Sequence, residues 1–313
     1  MYIFLYIAII ISFLFFSFIY LNRYQYIEKD NEKLYVTVKG HDYNWNKEFY
    51  DKLLKRDYPD KKEIVVKNIS NPDLLIVSHF YTFKDKLLYV EKDVPYITWS
   101  GESHRVKGIN NKKAKYNLIS QKPIHQNDIW FPFLISTNYL FMDRLEKLEN
   151  KKKISERKYL VAYVASHRVD FRERFFKILN DKYSQYGTHA LGKCSNNFKT
   201  IEGGHGNLDN VYEDYKFVFA MENLKKDGYI TEKIMNAYRG GAIPIFYGDS
   251  KSAEKFFNKG TYIDLSDFDS FEKAADYIFR LSQDDKKLED IKSLEIFKDK
   301  RLMKDIDYYL SSI

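Results

Sequence analysis

After an opening run without a charged side chain, Met1–Leu21, the chain settles into short apolar stretches separated by polar ones. Leu34–Val38, Glu63–Val66, Leu74–Val77, Leu87–Val90 and Tyr96–Trp99 are rich in β-branched and aromatic residues, which predicts strands. Tyr139–Lys153 has apolar residues at helical spacing among many charges and predicts a surface helix, with Lys151, Lys152 and Lys153 marking a boundary. The second half alternates more clearly. Tyr159–Val164, Phe217–Met221 and Ala242–Tyr247 read as strands, and Phe171–Leu179, Thr231–Tyr238 and Phe271–Leu281 as helices. Gly240 and Gly241 stop the second of these helices.

Strands alternating with helices imply parallel sheets joined by right-handed crossovers. The pattern predicts an α/β fold of two Rossmann-like halves facing a cleft, with no internal repeat. In open sheets of this kind, ligands sit outside the carboxyl ends of the strands. The segments divide as 1–21, 22–33 (a polar stem), 34–154, 155–285 and 286–313, the last a helical tail.

The opening run is long enough to span a bilayer as a helix, since about 20 apolar residues suffice. Tyr20, Tyr24 and Tyr26 stand where an interfacial aromatic belt would be. A cleaved signal peptide needs a basic start and a small-residue cleavage site, and neither is present, so the expectation is one uncleaved transmembrane helix. Arg23, Lys29 and Lys33 follow the span and none precedes it, which favours a cytosolic body. The sequon Asn68-Ile69-Ser70 points to the other side of the membrane.

Composition narrows the function. The single cysteine, Cys194, excludes an internal disulfide framework and a cysteine-based zinc site. The net charge of +7 is spread along the chain, mostly on lysines, and reads as a solvated surface. Zinc-finger spacing, RNA-recognition aromatics and basic amphipathic repeats are all missing, so a dedicated nucleic-acid binder is not expected. Asp267-Phe268-Asp269 and Asp305-Ile306-Asp307 match a diphosphate-metal motif by letter, but the first falls at a strand-to-helix turn, where capping explains acids, and the second in the charged tail. No metal site is expected.

The densest chemistry lies in Tyr215–Gly248. A buried strand ends at Met221, and Glu222 and Asn223 emerge where a ligand would sit. After a loop with Lys225, Lys226, Asp227 and Gly228, Thr231 opens a helix with Glu232 and Lys233 in its first turn. A helix start presents unpaired N–H groups and a positive dipole end, which suit a phosphate. Lys233 adds a full charge, and the Glu232 carboxylate can accept two hydrogen bonds from a sugar diol. Together these point to a nucleoside diphosphate; a capped helix with an ordinary first-turn acid is the plain alternative. Glu222 is a second candidate for a buried acidic role.

This segment resembles the signature of the α-1,3/4-fucosyltransferases: Glu222-Asn223, five residues, Tyr229-Ile230-Thr231-Glu232-Lys233, then Ile243-Pro244-Ile245-Phe246-Tyr247-Gly248. Ala162–Ser166 followed by Arg172 and Phe175-Phe176, the stretch Leu191–Asn197, and Trp99-Ser100-Gly101-Glu102 are similar to further family segments. One departure is Ser103, where the family has asparagine after Gly-Glu.

The resemblance implies an inverting, metal-independent transfer of L-fucose from GDP-fucose to a glycan hydroxyl, on the two-domain GT-B fold. The first half would bind the acceptor, α-1,3 on a GlcNAc-type sugar, and the second would bind GDP-fucose. Arg172 and Lys233 would neutralise the diphosphate, Glu232 would hold the ribose, Asn223 and Tyr229 would line the donor site, Ser166 and Lys193 would stand on donor loops, and Glu102 would be the general base. Two other functions fit parts of the pattern. One is the same fold acting on a different nucleotide sugar; the other is a membrane-tethered sugar-nucleotide binder without turnover. Golgi type II topology follows if the chain behaves as the eukaryotic family does.

Overall fold

The computed structural model describes residues 26–89, 93–138, 152–199, 201 and 207–312. The opening run Met1–Leu21 and most of the helix expected over Tyr139–Lys153 lie outside the described residues. Among the described residues no helix is long and apolar enough to cross a membrane.

The chain divides into two compact units. The first holds the chain up to Ser100 with Arg105–Leu118 and His125–Ile129; the second holds Gly101–His104, Ile119–Ile124 and Trp130–Ile313.

The sheet of the first unit is built on β1 (Lys33–Lys39), β2 (Glu63–Val66), β3 (Leu74–Ser78), β4 (Tyr96–Ser100), β5 (Tyr116–Ile119) and β6 (Asp128–Trp130), in the order β2-β1-β3-β4-β5-β6. β1 pairs in parallel with β2 and β3, and β3 with β4. Every residue of β3 and β4 is buried, as expected of parallel strands covered on both faces. Helix α1 (Lys47–Asp57) buries Phe49, Tyr50, Leu53 and Leu54, one apolar stripe at helical spacing.

Of the strand expected at Leu87–Val90, Leu87–Tyr89 belong instead to helix α2 (Phe83–Tyr89), and Val90 lies outside the described residues. The cause is local. Thr82 Oγ1 accepts from the Asp85 N–H at 3.2 Å and Asp85 Oδ2 accepts from the Thr82 N–H at 3.0 Å. This reciprocal capping box fixes a helix start that apolar composition alone does not reveal.

In the second unit, α3 (Phe133–Asn138) precedes a five-stranded sheet. Its elements are β7 (Tyr159–Tyr163), α4 (Asp170–Tyr183), β8 (Thr188–Ala190), α5 (Leu208–Tyr212), β9 (Tyr215–Met221), α6 (Lys233–Arg239), β10 (Ile243–Tyr247), α7 (Ser250–Phe256), β11 (Ile263–Asp264) and α8 (Phe271–Ser282). The strand order is β11-β10-β9-β7-β8. Successive side chains on a strand point to opposite faces, so each central strand feeds two cores. Val161, Phe217, Phe219, Ile243 and Ile245 pack with Phe175, Phe176 and Ile278 of α4 and α8. Ala162 and Val218 pack with Leu208, Tyr212 and Ala237 of α5 and α6. Arg157, 4% exposed, staples the second face by donating from Nη1 to the carbonyls of Tyr212, Tyr215 and Gly240 at 3.0, 3.0 and 2.9 Å. After α8 come three further helices, α9 (Asp285–Ser293), α10 (Arg301–Lys304) and α11 (Ile306–Ser311).

This topology positions the site. From β7 the chain moves outward to β8, then returns to place β9 on the opposite side of β7. The order therefore reverses between β7 and β9, and a crevice opens at their carboxyl ends.

Candidate active site

A cavity of about 180 Å³ occupies that crevice. Tyr163, Val164, Ala165, Ser166 and His167 line it from the end of β7, Met221 and Asn223 from the end of β9, Arg172 from α4, and Glu232, Lys233 and Asn236 from the start of α6. Five of the residues singled out in the sequence (Ser166, Arg172, Asn223, Glu232 and Lys233) thus meet around one cavity.

Arg172 is 5% exposed, and its guanidinium donates to the Met221 carbonyl and to Asn223 Oδ1, the latter at 2.7 Å. Burial presses its pKa below the ordinary value, with the nearby Glu222 carboxylate opposing. Its Nε has no hydrogen-bond partner. A buried cation with an unused donor beside a polar cavity is equipped to receive an anion.

Glu222 is fully buried and organises the turn that follows. Its Oε1 accepts from the Thr231 N–H at 2.7 Å, and both carboxylate oxygens accept from Thr231 Oγ1 at 2.9 Å. Lys233 Nζ donates to Glu222 Oε2 at 3.2 Å and to Thr231 Oγ1 at 2.9 Å. The buried acidic role foreseen for Glu222 is that of an anchor. For Lys233, burial works against the charge, but Glu222 and Glu232 more than offset it and hold the ammonium above the ordinary lysine value.

The helix expected to open at Thr231 starts two residues later, at Lys233, with Glu232 at the N-cap position. Thr231 is withheld from the helix because its side chain and N–H are committed to Glu222. Glu232 makes no capping hydrogen bond, and its Oε2 is buried with no partner. An orphaned carboxylate oxygen on a residue that lines a cavity costs free energy in the empty site, which a hydroxyl donor from a ligand would remove.

The other candidates stand apart from the cavity wall. Tyr229 is buried at 2% exposure. Burial and then the carboxylates of Glu222, Glu102 and Glu232 push its phenol far above the usual value, so it remains a neutral hydroxyl donor. Lys193 has an exposed side chain, while its N–H donates to the Ala165 carbonyl at 2.8 Å. The adjoining Gly192 is required there, since a Cβ would stand 2.4 Å from that same carbonyl oxygen. Glu102 is partly buried on the Gly101–His104 segment, and its carboxylate is one of those that raise the Tyr229 phenol. Cys194 is buried, and burial raises its thiol pKa, so it is a packing residue.

Leu208, Tyr212, His167 and Asn236 also line the cavity and carried no signal in the sequence. Leu208 and Tyr212 are brought there by α5 and Asn236 by α6, while His167 sits in the loop that follows β7. Among the described residues no three His, Cys, Asp or Glu side chains are grouped to hold a metal ion. The acids at 267–269 act otherwise than by helix capping. Asp267 pairs with Lys259 at 3.3 Å and Asp269 with Lys273 at 2.5 Å, while Ser270 caps α8.

Comparison with known proteins bears on this site. Residues 154–291 match the model of glycosyltransferase family 10 (fucosyltransferase), C-terminal part. An α-(1,4)-fucosyltransferase of Arabidopsis thaliana is 30% identical over 142 residues, 40% of this chain and 34% of that protein. An α-(1,3)-fucosyltransferase of Helicobacter pylori is 28% identical over 179 residues, 56% of this chain and 34% of that protein. The chain thus spans about a third of the length of these relatives. A crystal structure of an α1,3-fucosyltransferase superposes with a TM-score of 0.67 at 17% identity, covering 93% of both chains. A second, of an α1,3-fucosyltransferase with GDP, gives 0.66 at 19% identity over 94% of both. The fold is the GT-B-like α/β fold of these fucosyltransferases, with parallel sheets.

Proposed function

We propose that this chain is an inverting fucosyltransferase that moves L-fucose from GDP-fucose to a glycan hydroxyl, α-1,3 on a GlcNAc-type acceptor. The observation that carries the reading is the convergence of Arg172, Lys233 and the unpartnered Glu232 Oε2 on one cavity at the switch point between β7 and β9. The related proteins support it by name, and a structural neighbour was solved with GDP-fucose.

In this reading the diphosphate lies between Arg172 and Lys233. Negative charge grows on it as the bond to fucose breaks, so fixed cations stabilise the transition state more than the ground state. A guanidinium can grip two phosphate oxygens at once. Glu232 Oε2 accepts from a ribose hydroxyl, and Asn223, already held by Arg172, orients the donor beside it. Tyr229 donates from its neutral hydroxyl, and Ser166 and Lys193 stand on the loops after β7 and β8. Glu102 removes the proton from the acceptor hydroxyl as its oxygen attacks the anomeric carbon on the face opposite GDP, which inverts the configuration. Base catalysis contributes about 10²–10⁴ in rate, and positioning and leaving-group stabilisation supply the rest. The uncharged run Met1–Leu21 would tether the enzyme to a membrane.

The test is calorimetric titration with GDP, UDP and GDP-fucose, in the wild type and in Arg172→Ala and Lys233→Ala. GDP and GDP-fucose should bind and UDP should not, with each substitution weakening GDP at least tenfold. Equal binding of UDP and GDP would overturn the choice of donor.

A further inference from the structure

The connection from Leu224 to Gly228 joins the end of β9 to the turn that carries Tyr229, Glu232 and Lys233, and it is held at every residue from Lys226 onward. The Asp227 carbonyl accepts from the Lys122 N–H at 2.8 Å. The Gly228 N–H donates to Asp249 Oδ2 at 2.8 Å, and its carbonyl accepts from Trp130 Nε1 at 2.8 Å. Gly228 has φ +79°, and a Cβ there would stand 2.3 Å from the Lys122 nitrogen, so no other residue fits without displacing that segment. The Lys226 carbonyl accepts from the Tyr229 N–H at 2.9 Å. The base of the Lys226 side chain is therefore fixed.

From this base the Lys226 ammonium donates to the Ser103 carbonyl at 2.5 Å, in a partly buried contact. Ser103 directly follows Glu102. An ammonium-to-carbonyl bond is charge-assisted and stronger than a neutral one. It restrains the peptide that sets the direction of the Glu102 side chain.

We propose that Lys226 is a positioning residue: it locks the Gly101–His104 segment to the donor turn and so fixes Glu102 relative to the sugar that is transferred. The proposal rests on the transfer reading above. It gives Lys226 no contact with the donor, and Lys226 does not line the donor cavity. Misplacing a reacting group by about 1 Å can cost roughly a hundredfold in rate.

The test compares Lys226→Met, which keeps the aliphatic stem, with Lys226→Arg, which keeps the charge. Transfer kinetics, GDP calorimetry and amide exchange are measured on each full-length variant. Lys226→Met should lower kcat about 10- to 100-fold. It should leave KM for GDP-fucose and Kd for GDP within about twofold, because the lysine touches no part of the donor cavity. Amides between Gly101 and Arg105 should exchange at least about tenfold faster. Lys226→Arg should recover most of the rate. An unchanged kcat in Lys226→Met, or parallel losses of kcat and GDP affinity, would overturn the proposal. If the wild type transfers no fucose, the transfer reading falls, and with it the role of Lys226. Unaltered exchange in Lys226→Met overturns the lock itself, whatever the activity.

Discussion

The unpartnered oxygen of Glu232 allows a sharp test of where the ribose lies. Replacing Glu232 by glutamine keeps the shape and removes the charge. Oε2 has no hydrogen-bond partner in the protein and the residue makes no capping bond, so the substitution should cost the empty protein only the support that Glu232 gives the buried Lys233 ammonium, about 1 kcal/mol in unfolding. The larger cost should appear when a ligand hydroxyl is present. A hydrogen bond to a charged group is worth about 1.5–3 kcal/mol. Since each 1.4 kcal/mol is tenfold in Kd, GDP affinity should fall about ten- to a hundredfold. The decisive arm uses 2′-deoxy-GDP and 3′-deoxy-GDP against both proteins by calorimetry. If Glu232 grips the diol, removing one hydroxyl should weaken wild type by a similar factor and weaken Glu232→Gln far less, a non-additivity of at least about 1 kcal/mol. Equal losses for both proteins on every analogue would refute the placement of ribose against Glu232. So would a Glu232→Gln protein that binds GDP as tightly as wild type.

Other expectations follow from the same geometry. Glu222→Gln removes the charge that holds Thr231 and Lys233, and should cost about 2–4 kcal/mol in denaturant unfolding together with at least a tenfold loss of GDP affinity; unchanged stability would show that the turn does not depend on it. Gly228→Ala should destabilise by about 1–3 kcal/mol, read as a lower denaturation midpoint at constant m-value, because its φ is positive and the Lys122 backbone blocks a Cβ. Lys292 is pushed down to about 8 by burial and by Arg157, with Glu289 opposing. The unfolded chain binds its proton more strongly, so the charged form penalises the fold below about pH 8, and that penalty fades as pH rises toward the unfolded value of 10.5. Lys292→Met should therefore raise stability by about 1 kcal/mol at pH 7, a figure reduced for the side chain's partial exposure, and by progressively less between pH 8 and 10 in thermal melts.

Much of the second unit was legible from the chain because its signals are local. The buried strand ending at Met221, the acidic and basic residues after it, and the strand closing at Tyr247 are each read from a short window, and together they place the crevice. Helix α6 starts two residues after the position its sequence predicts because Thr231 answers to Glu222, nine residues away, and not to the helix. The end of helix α2 reads as a strand in the sequence because its apolar residues outweigh a capping box that involves two small polar side chains. Strands β5, β6 and β8 are three or four residues long and carry no alternation that a sequence reading could use. The side chains least visible in the sequence act over long separations. Arg157 reaches carbonyls up to 83 positions away, and Lys226 reaches one 123 positions away. The Arg105–Asp128 pair, joined by Asn117 and the His125 N–H, orders the loops after β4 and β5 in the same way. Such contacts are set by the topology, and residue type only permits them.

The central claim is tested most directly by following fucose itself. The protein is incubated with GDP-fucose labelled in the sugar and a panel of N-acetyllactosamine-type acceptors, and both GDP release and labelled glycan are measured, with Glu102→Ala in parallel. The account predicts GDP release that depends on acceptor, matches labelled product mole for mole, carries inverted anomeric configuration, and falls at least about a hundredfold in Glu102→Ala. Acceptor-independent release of GDP, or a Glu102→Ala protein as active as wild type, would contradict it.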